Sequence, residues 1–306
     1  MVRSPLVHIE KHTLQRFFII ILSSDVSGIV DTVGPDVTLF EAGDRVYAFA
    51  NGIISGKPDN GSFQTYTVVP VVTTSKLPDS IDFAHGAMLP MAAATASLAL
   101  FKNLGLPRPD SSSVKQGAGS ILIWGGSSSV GSMAIQLAKL AGFTVYTVAS
   151  PTHNAYLKLL GATVTFDYRF PTVVEDIIAA AKSAGQPITH GLDAISEAAT
   201  LKATSQVLAG SAGKGAKLAH LLPWPETEPV PEGVETFHLS GEQSWTTEQD
   251  RSTWLFHEFL PSALAASTIV PSPKLQIVDG GVKSLEAGMK ILKNGVSGHK
   301  IVVTLK

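Results

Sequence analysis

The stretch Gly119–Ser150, GSILIWGGSSSVGSMAIQLAKLAGFTVYTVAS, decides the fold. Ser120–Trp124 is a short apolar run of strand character. Gly125 and Gly126 turn the chain, and a serine-rich corner follows. From Val130, apolar residues at Met133, Ala134, Leu137, Ala138 and Ala141 recur with helical spacing. Gly142 closes that helix, and Thr144–Ala149 reads as a second strand. Strand, tight turn, helix and strand at this length make one βαβ unit. In an α/β protein such a unit is right-handed and puts its first turn at the C-terminal edge of a parallel sheet. A ligand there meets the unpaired N–H groups of a helix start, and a dinucleotide pyrophosphate suits them. Against the pattern G-x-G-x-x-G, Gly125 and Gly131 fill the outer places while Ser127 holds the middle one. The same spacing also suits a βαβ turn without a ligand.

Strand and helix segments alternate onward from this unit. Strands are expected at Thr163–Phe166, Ile188–Ala194, Ala216–Leu222 and Thr236–Leu239, with helices at Ala155–Leu160, Val173–Ala184 and Ser196–Leu208. That is the pattern of a doubly wound α/β domain. The chain before it differs. Short apolar runs at Phe17–Leu22, Val26–Val33, Arg45–Ala50, Ser62–Val69 and Val71–Thr74 are separated by glycine turns, as in a small, partly closed β module. A helix is expected from Ile81, interrupted at Pro90 and continued through Met91–Leu100. After the apolar helix Trp254–Ala266, a strand at Leu275–Val278, a helix at Val282–Leu292 and a strand at Lys300–Leu305 return toward the N-terminal module.

Composition excludes several chemistries. The 306 residues are 44% apolar and 16% charged with a net charge of −2, so nothing draws the chain to nucleic acid or to an anionic membrane. Cysteine is absent, which removes disulfides, thiolate chemistry and every cysteine-liganded zinc site. A redox enzyme of this composition carries its electrons on a bound cofactor. No secretory signal is read before the core, and Phe17–Leu22 is too short to span a bilayer, so a cytoplasmic protein is expected.

At the end of the second strand, an acidic residue would select NAD through the ribose 2′-hydroxyl. Ser150, His153 and Asn154 stand there instead, which tolerates a 2′-phosphate and favours NADPH over NADH. Tyr168 and Arg169 follow the next strand and are placed to pack on adenine and meet a phosphate. Asp25 is read either as a ligand-orienting residue or as a turn former. Thr95 is read as core packing, with pocket lining as the second choice.

Taken in order, SDVSGIVDTVGPDVTLFEAGDRVYAF (24–49), GSFQTYTVV (61–69), ILIWGGSSSVGSMAIQLAKLAGFTV (121–145), LLGATVTFDYR (159–169) and SGHKIVVTL (297–305) resemble the medium-chain dehydrogenase/reductase superfamily. Within it, the GGSSSVG corner and the FDYR stretch resemble zinc-free quinone reductases and fungal trans-acting enoyl reductases of polyketide clusters. The resemblance implies a Rossmann-like doubly wound parallel sheet plus a GroES-like, mainly-β domain. Residues 1–90, completed by about 268–306, are expected to form the GroES-like substrate domain, and 91–267 the NADPH domain with its leading helix. The resemblance also implies that Ser127, Ser128, Ser129 and Val130 face the pyrophosphate. It sets Ser150 and Tyr168 near the 2′-phosphate and the Gly298 region near the nicotinamide. The implied activity is hydride transfer from NADPH, without zinc, to an enone, an enoyl thioester or a quinone. The substrate is either free or carried by a polyketide synthase, and the protein a monomer or homodimer. Departures are also present. Family chains carry further residues before the Asp25 motif, so the N-terminal domain is expected to be truncated. Ser23 stands where glycine is common, and Asn154 where a lysine often meets the 2′-phosphate. The alternative is a non-catalytic NADPH-binding or partner-binding remnant. No catalytic residue is assigned; Tyr47, Tyr66 and Thr95 are the hydroxyls considered as donors.

Overall fold

A computed structural model describes residues 21–109, 117–226 and 228–305. They form two compact units, one within Met1–Met91, Glu242–Ala265 and Lys274–Lys306, the other within Ala92–Gly241 and Ala266–Pro273. Glu242–Ala265 thus groups with the first unit, whereas the sequence reading carried the second through residue 267.

In the first unit, β1 (Asp25–Ile29), β2 (Arg45–Phe49) and β3 (Thr74–Lys76) form an antiparallel sheet in that order. Short helical turns α1 (Gly52–Ser55) and α2 (Phe83–Gly86) follow β2 and β3. Asp82 caps α2 by accepting the His85 amide. The Phe17–Leu22 run lies outside the described residues except for Ile21 and Leu22, which are not in a strand. Two further expectations fail for a local reason. Ser62–Val69 is not a strand but a series of bends. There the Gln64 amide donates to the carbonyls of Pro58 and Gly61, and the Asn60 amide donates to that of Val68. These local side-chain bonds fold the segment back on the turn before it, in place of a ladder. Val71–Thr73 is a 3₁₀ turn, and the strand begins only at Thr74.

Ser23 explains the glycine expected at its place, because its φ is 77°. Its carbonyl accepts the Ser62 amide, so the conformation is held by the fold. An L-residue in this region costs about 1–2 kcal/mol that glycine does not. Ser23→Gly is therefore expected to raise stability by about 1 kcal/mol, read as a higher thermal midpoint; no change would mean the strain is relieved locally.

The second unit begins at Ala92, within α3 (Pro90–Ser97), which continues as a π-helical stretch through Leu98–Asn103. Pro90 opens α3 rather than breaking it, since a first-turn residue needs no amide proton. The helical run Phe83–Asn103 is the one among the described residues long and apolar enough to cross a membrane, and 72% of it is buried inside the fold. Then come β4 (Gly119–Trp124), α4 (Ser129–Leu140), β5 (Phe143–Val148), α5 (Asn154–Leu160), β6 (Val164–Phe166), α6 (Val173–Ser183), β7 (Ile188–Asp193), α7 (Ala198–Ala212), β8 (Ala216–His220) and β9 (Val234–His238). The six strands are parallel in the order β6-β5-β4-β7-β8-β9. This is the Rossmann order, and it reverses between β4 and β7. Leu122, Trp124, Tyr146, Val148, Ile177, Leu208 and Leu218 belong to one buried cluster. Each such side chain contributes about 1.5–3 kcal/mol on burial.

The chain then returns to the first unit through α8 (Gln249–Thr253), a π-helical stretch (Trp254–Phe259) and α9 (Leu260–Ala265). Strands β10 (Lys274–Val278) and β11 (His299–Val303) pair in parallel around α10 (Leu285–Lys293). The antiparallel N-terminal sheet and the parallel six-stranded sheet are the GroES-like and Rossmann-like parts expected from the sequence.

Candidate functional site

Open α/β sheets bind ligands outside the C-terminal ends of their strands, where the strand order reverses. Here that place is the exit of β4 beside the exit of β7. The Gly125 and Gly126 amides both donate to the Val148 carbonyl, at 3.0 and 3.1 Å, folding the turn tightly over β5. Gly125 has φ 78°, and a Cβ there would lie 2.7 Å from Ile195. A Cβ on Gly131 would lie 2.2 Å from the Gly125 carbonyl oxygen. Glycine is needed once for the turn and once for the approach of helix to strand. Gly126 leaves no room for a side chain either, but its space is taken by Thr147 of β5.

Ser128 is the N-cap of α4. Its hydroxyl accepts the Gly131 amide at 3.0 Å, and its carbonyl accepts the Ser132 amide at 2.9 Å. The Ser128 oxygen thus accepts at the helix start, while its hydroxyl proton is not used by that bond. The amides of Ser129 and Val130 remain, among the described residues, without a chain partner. They carry the positive end of the helix dipole. Ser127, Ser129 and Val130 are half-buried around this opening. The corner fits a pyrophosphate: it offers unpaired backbone donors at a helix start, with Ile195 beside Gly125 as its neighbour.

Asp193 ends β7 and is wholly buried. Its Oδ1 accepts the amides of Ile195 and Ser196, both at 2.9 Å, while its Oδ2 has no hydrogen bond. Burial holds this carboxyl above the usual carboxylate range, opposed by those amides. Ile195 and Ser196 were not legible as site residues. The one signal was an Asp followed three places on by Ser at a strand end.

At the exits of β5 and β6, the Ser150 hydroxyl and the Tyr168 phenol lie 3.4 Å apart, so two predicted residues meet. His153 closes the Pro151–His153 turn that follows Ser150, and Asn154 starts α5 with its Oδ1 buried and unpaired. Arg169 grips Asp167 through Nε at 2.9 Å and Nη2 at 2.7 Å. The guanidinium holds the Asp167 carboxyl below its ordinary range, yet the Arg169 side chain stays 61% exposed. The cation is anchored on one edge and open on the other.

The remaining predicted residues lie elsewhere. Asp25 is buried, with Oδ2 2.5 Å from Lys300 Nζ and Oδ1 2.6 Å from the Met91 amide. Both oxygens are taken, so Asp25 is a structural clamp and not a substrate contact. Thr95 is half-buried on α3 among Ala92, Ala93, Ala94 and Ala96. Gly298, at φ 63°, makes the turn into β11 in the first unit, its carbonyl accepting the Lys274 amide. Tyr47 is fully buried and its hydroxyl unbonded, and burial pushes the phenol well above the usual tyrosine range. Tyr66 is exposed in the bends after α1.

Residues 129–218 match the family described as zinc-binding dehydrogenase, and residues 5–79 the alcohol dehydrogenase GroES-like domain. The chain is 38% identical over 288 residues to trans-enoyl reductase tndF of Aspergillus flavipes, covering 93% of this chain and 82% of that one. Trans-enoyl reductase himH of Aspergillus japonicus is 35% identical, with 93% and 81% covered. The crystal structure of CurK enoyl reductase superposes with a TM-score of 0.74 at 20% identity, over 94% of this chain and 80% of that one. A zinc ion does not fit the residues present. The sequence has no cysteine, and among the described residues no three His, Asp or Glu side chains gather to hold a metal.

Proposed function

Because the chain belongs to the medium-chain dehydrogenase/reductase superfamily, on its zinc-independent enoyl- and quinone-reductase side, we propose that it uses NADPH to reduce an activated C=C bond or a quinone. The observation that carries this reading is the opening at the start of α4. There the Ser129 and Val130 amides stand unpaired beside Gly125 and Gly131, at the reversal of the sheet. These amides would hold the pyrophosphate, with Ser127 and Ser129 as flanking hydroxyls. Ser150, Tyr168 and the open edge of Arg169 would receive the adenosine 2′-phosphate, with His153 and Asn154 on the adjoining turn. A guanidinium is suited to that task because it can keep one carboxylate and still present free N–H donors.

When bound, the nicotinamide supplies a hydride to the β-carbon of an enone or enoyl thioester, or to a quinone. The negative charge that such a transfer would place on the substrate's carbonyl oxygen would need donors aimed at it, and no catalytic side chain is assigned to that task. The protein's part is orientation and the exclusion of competing geometries. The relatives are named trans-enoyl reductases, which suggests a substrate held on a separate synthase as an acyl thioester.

A fluorescence titration with NADPH and NADH in parallel tests the reading. Saturable binding with NADPH preferred supports it, and oxidation of NADPH across enones, acyl thioesters and quinones then identifies the acceptor. A folded protein that binds neither nucleotide would sink it. Arg169→Ala is expected to weaken NADPH about tenfold, about 1.4 kcal/mol, and leave NADH within about twofold. Equal losses for both nucleotides would show that Arg169 does not meet the 2′-phosphate.

A further inference from the structure

Ser196 stands in the turn after β7 with a φ of 61°. A residue other than glycine is rare there, and such strain persists only where the surroundings demand it. Glycine would make the same turn at no cost. What serine adds over glycine here is its hydroxyl, and that hydroxyl is engaged on both sides. Ser196 Oγ donates to the Asp193 carbonyl at 2.8 Å and accepts the Leu221 amide at 2.8 Å. The side chain is 4% exposed, so water does not compete for these bonds. Leu221 is the first residue after β8, and the next carbonyl, Leu222, is held by His220 Nδ1 at 2.7 Å. Because a carbonyl oxygen only accepts, His220 Nδ1 is the donor in that bond, and burial keeps the ring below the usual histidine range.

The turn that Ser196 shapes is the one facing the glycine corner. The Ala194 amide donates to the Trp124 carbonyl at 3.0 Å, which continues the β4–β7 ladder one residue past the sheet. Ile195, next in line, closes over Gly125 at a distance that would leave a Cβ there only 2.7 Å. The position of Ile195 is fixed from one side by the Asp193 carboxylate on its amide and from the other by Ser196.

We propose that Ser196 is a positioning residue for the nucleotide: its hydroxyl welds the exits of β7 and β8 and so holds Ile195 against Gly125, setting one wall of the pyrophosphate opening. The proposal rests on the NADPH reading above and deepens it. Without the weld, the β7 exit is tied to β8 only through the sheet, and the wall moves away from the corner. The effect falls on the affinity of the nucleotide and not on the chemical step, because Ser196 touches no reacting atom.

The test uses the full chain with NADPH, in wild type, Ser196→Ala and Ser196→Gly. Ser196→Gly relieves the left-handed strain while removing the hydroxyl, so it keeps its thermal midpoint close to wild type. Both variants are expected to raise the NADPH Kd and KM about tenfold, with kcat changed less than about twofold. Ser196→Gly binding NADPH as wild type does would overturn the proposal, since the turn alone would then suffice. A loss of kcat without a change in KM would overturn it as well. Wild type that binds no NADPH would remove the functional reading first, and the proposal with it, before any variant is compared.

Discussion

Lys300→Met is expected to destabilise the first unit by about 3–5 kcal/mol. Lys300 Nζ sits 2.5 Å from Asp25 Oδ2 and 3.3 Å from the Met88 carbonyl, with the two charged side chains only 4% and 3% exposed. The other Asp25 oxygen takes the Met91 amide. Methionine nearly matches the volume of lysine but leaves a buried carboxylate with one neutral donor. Losing one partner of a buried pair is far costlier than never having built it. The double variant Asp25→Asn with Lys300→Met is thus expected to recover most of the loss. Urea unfolding of wild type and the two variants, followed by a probe in the first unit, measures this. A single-variant loss under about 1 kcal/mol would mean that the pair behaves as a solvated surface bridge.

Gly131→Ala is expected to weaken NADPH by about 100-fold, about 2.7 kcal/mol, while costing little stability. The added Cβ would meet Gly125 O at 2.2 Å, and Gly125 C and Gly126 Cα at 2.9 Å, all of them backbone atoms. No side chain can swing aside, so α4 must slide from the corner. That sliding carries the Ser129 and Val130 amides with it. Overpacking costs about 1–3 kcal/mol, but alanine inside a helix recovers about 1 kcal/mol over glycine. Affinity and stability therefore separate, and a calorimetric titration beside a thermal melt reads both. Unchanged affinity would show that the start of α4 does not hold the nucleotide.

The cofactor half of the molecule was legible because its signals are local. The apolar run before Gly125, the spacing of Met133, Ala134, Leu137 and Ala138, and the glycine at 131 each act within one βαβ unit, and β4, α4 and β5 fall where those signals put them. The family order of motifs extended this to the whole chain, and the curated relatives agree with it. The lack of cysteine spoke against zinc without any structure. What escaped was long-range or side-chain-driven. The Asp25–Lys300 pair joins residues 275 apart, and no periodicity carries that information. Ser62–Val69 alternates like a strand, but side-chain amides tie it into a local knot, Asn60 to the Val68 carbonyl and Gln64 back to that of Gly61. Ile195 and Ser196 matter through their neighbours on β4 and β8, and neither residue type marks a ligand site by itself.

The discontinuous make-up of the first unit also sets an order of events during synthesis. Residues 92–241 hold all six parallel strands of the second unit and can pair as soon as they leave the ribosome. The strand that carries Asp25 is made early, but its lysine emerges 275 residues later. At about 5–20 residues per second, that carboxylate waits roughly 14–55 s for its partner. Until then β1–β3 form an unfinished sheet with an unneutralised acid where its core will be. The half that emerges first is the half that folds last, and chaperone dependence should concentrate there.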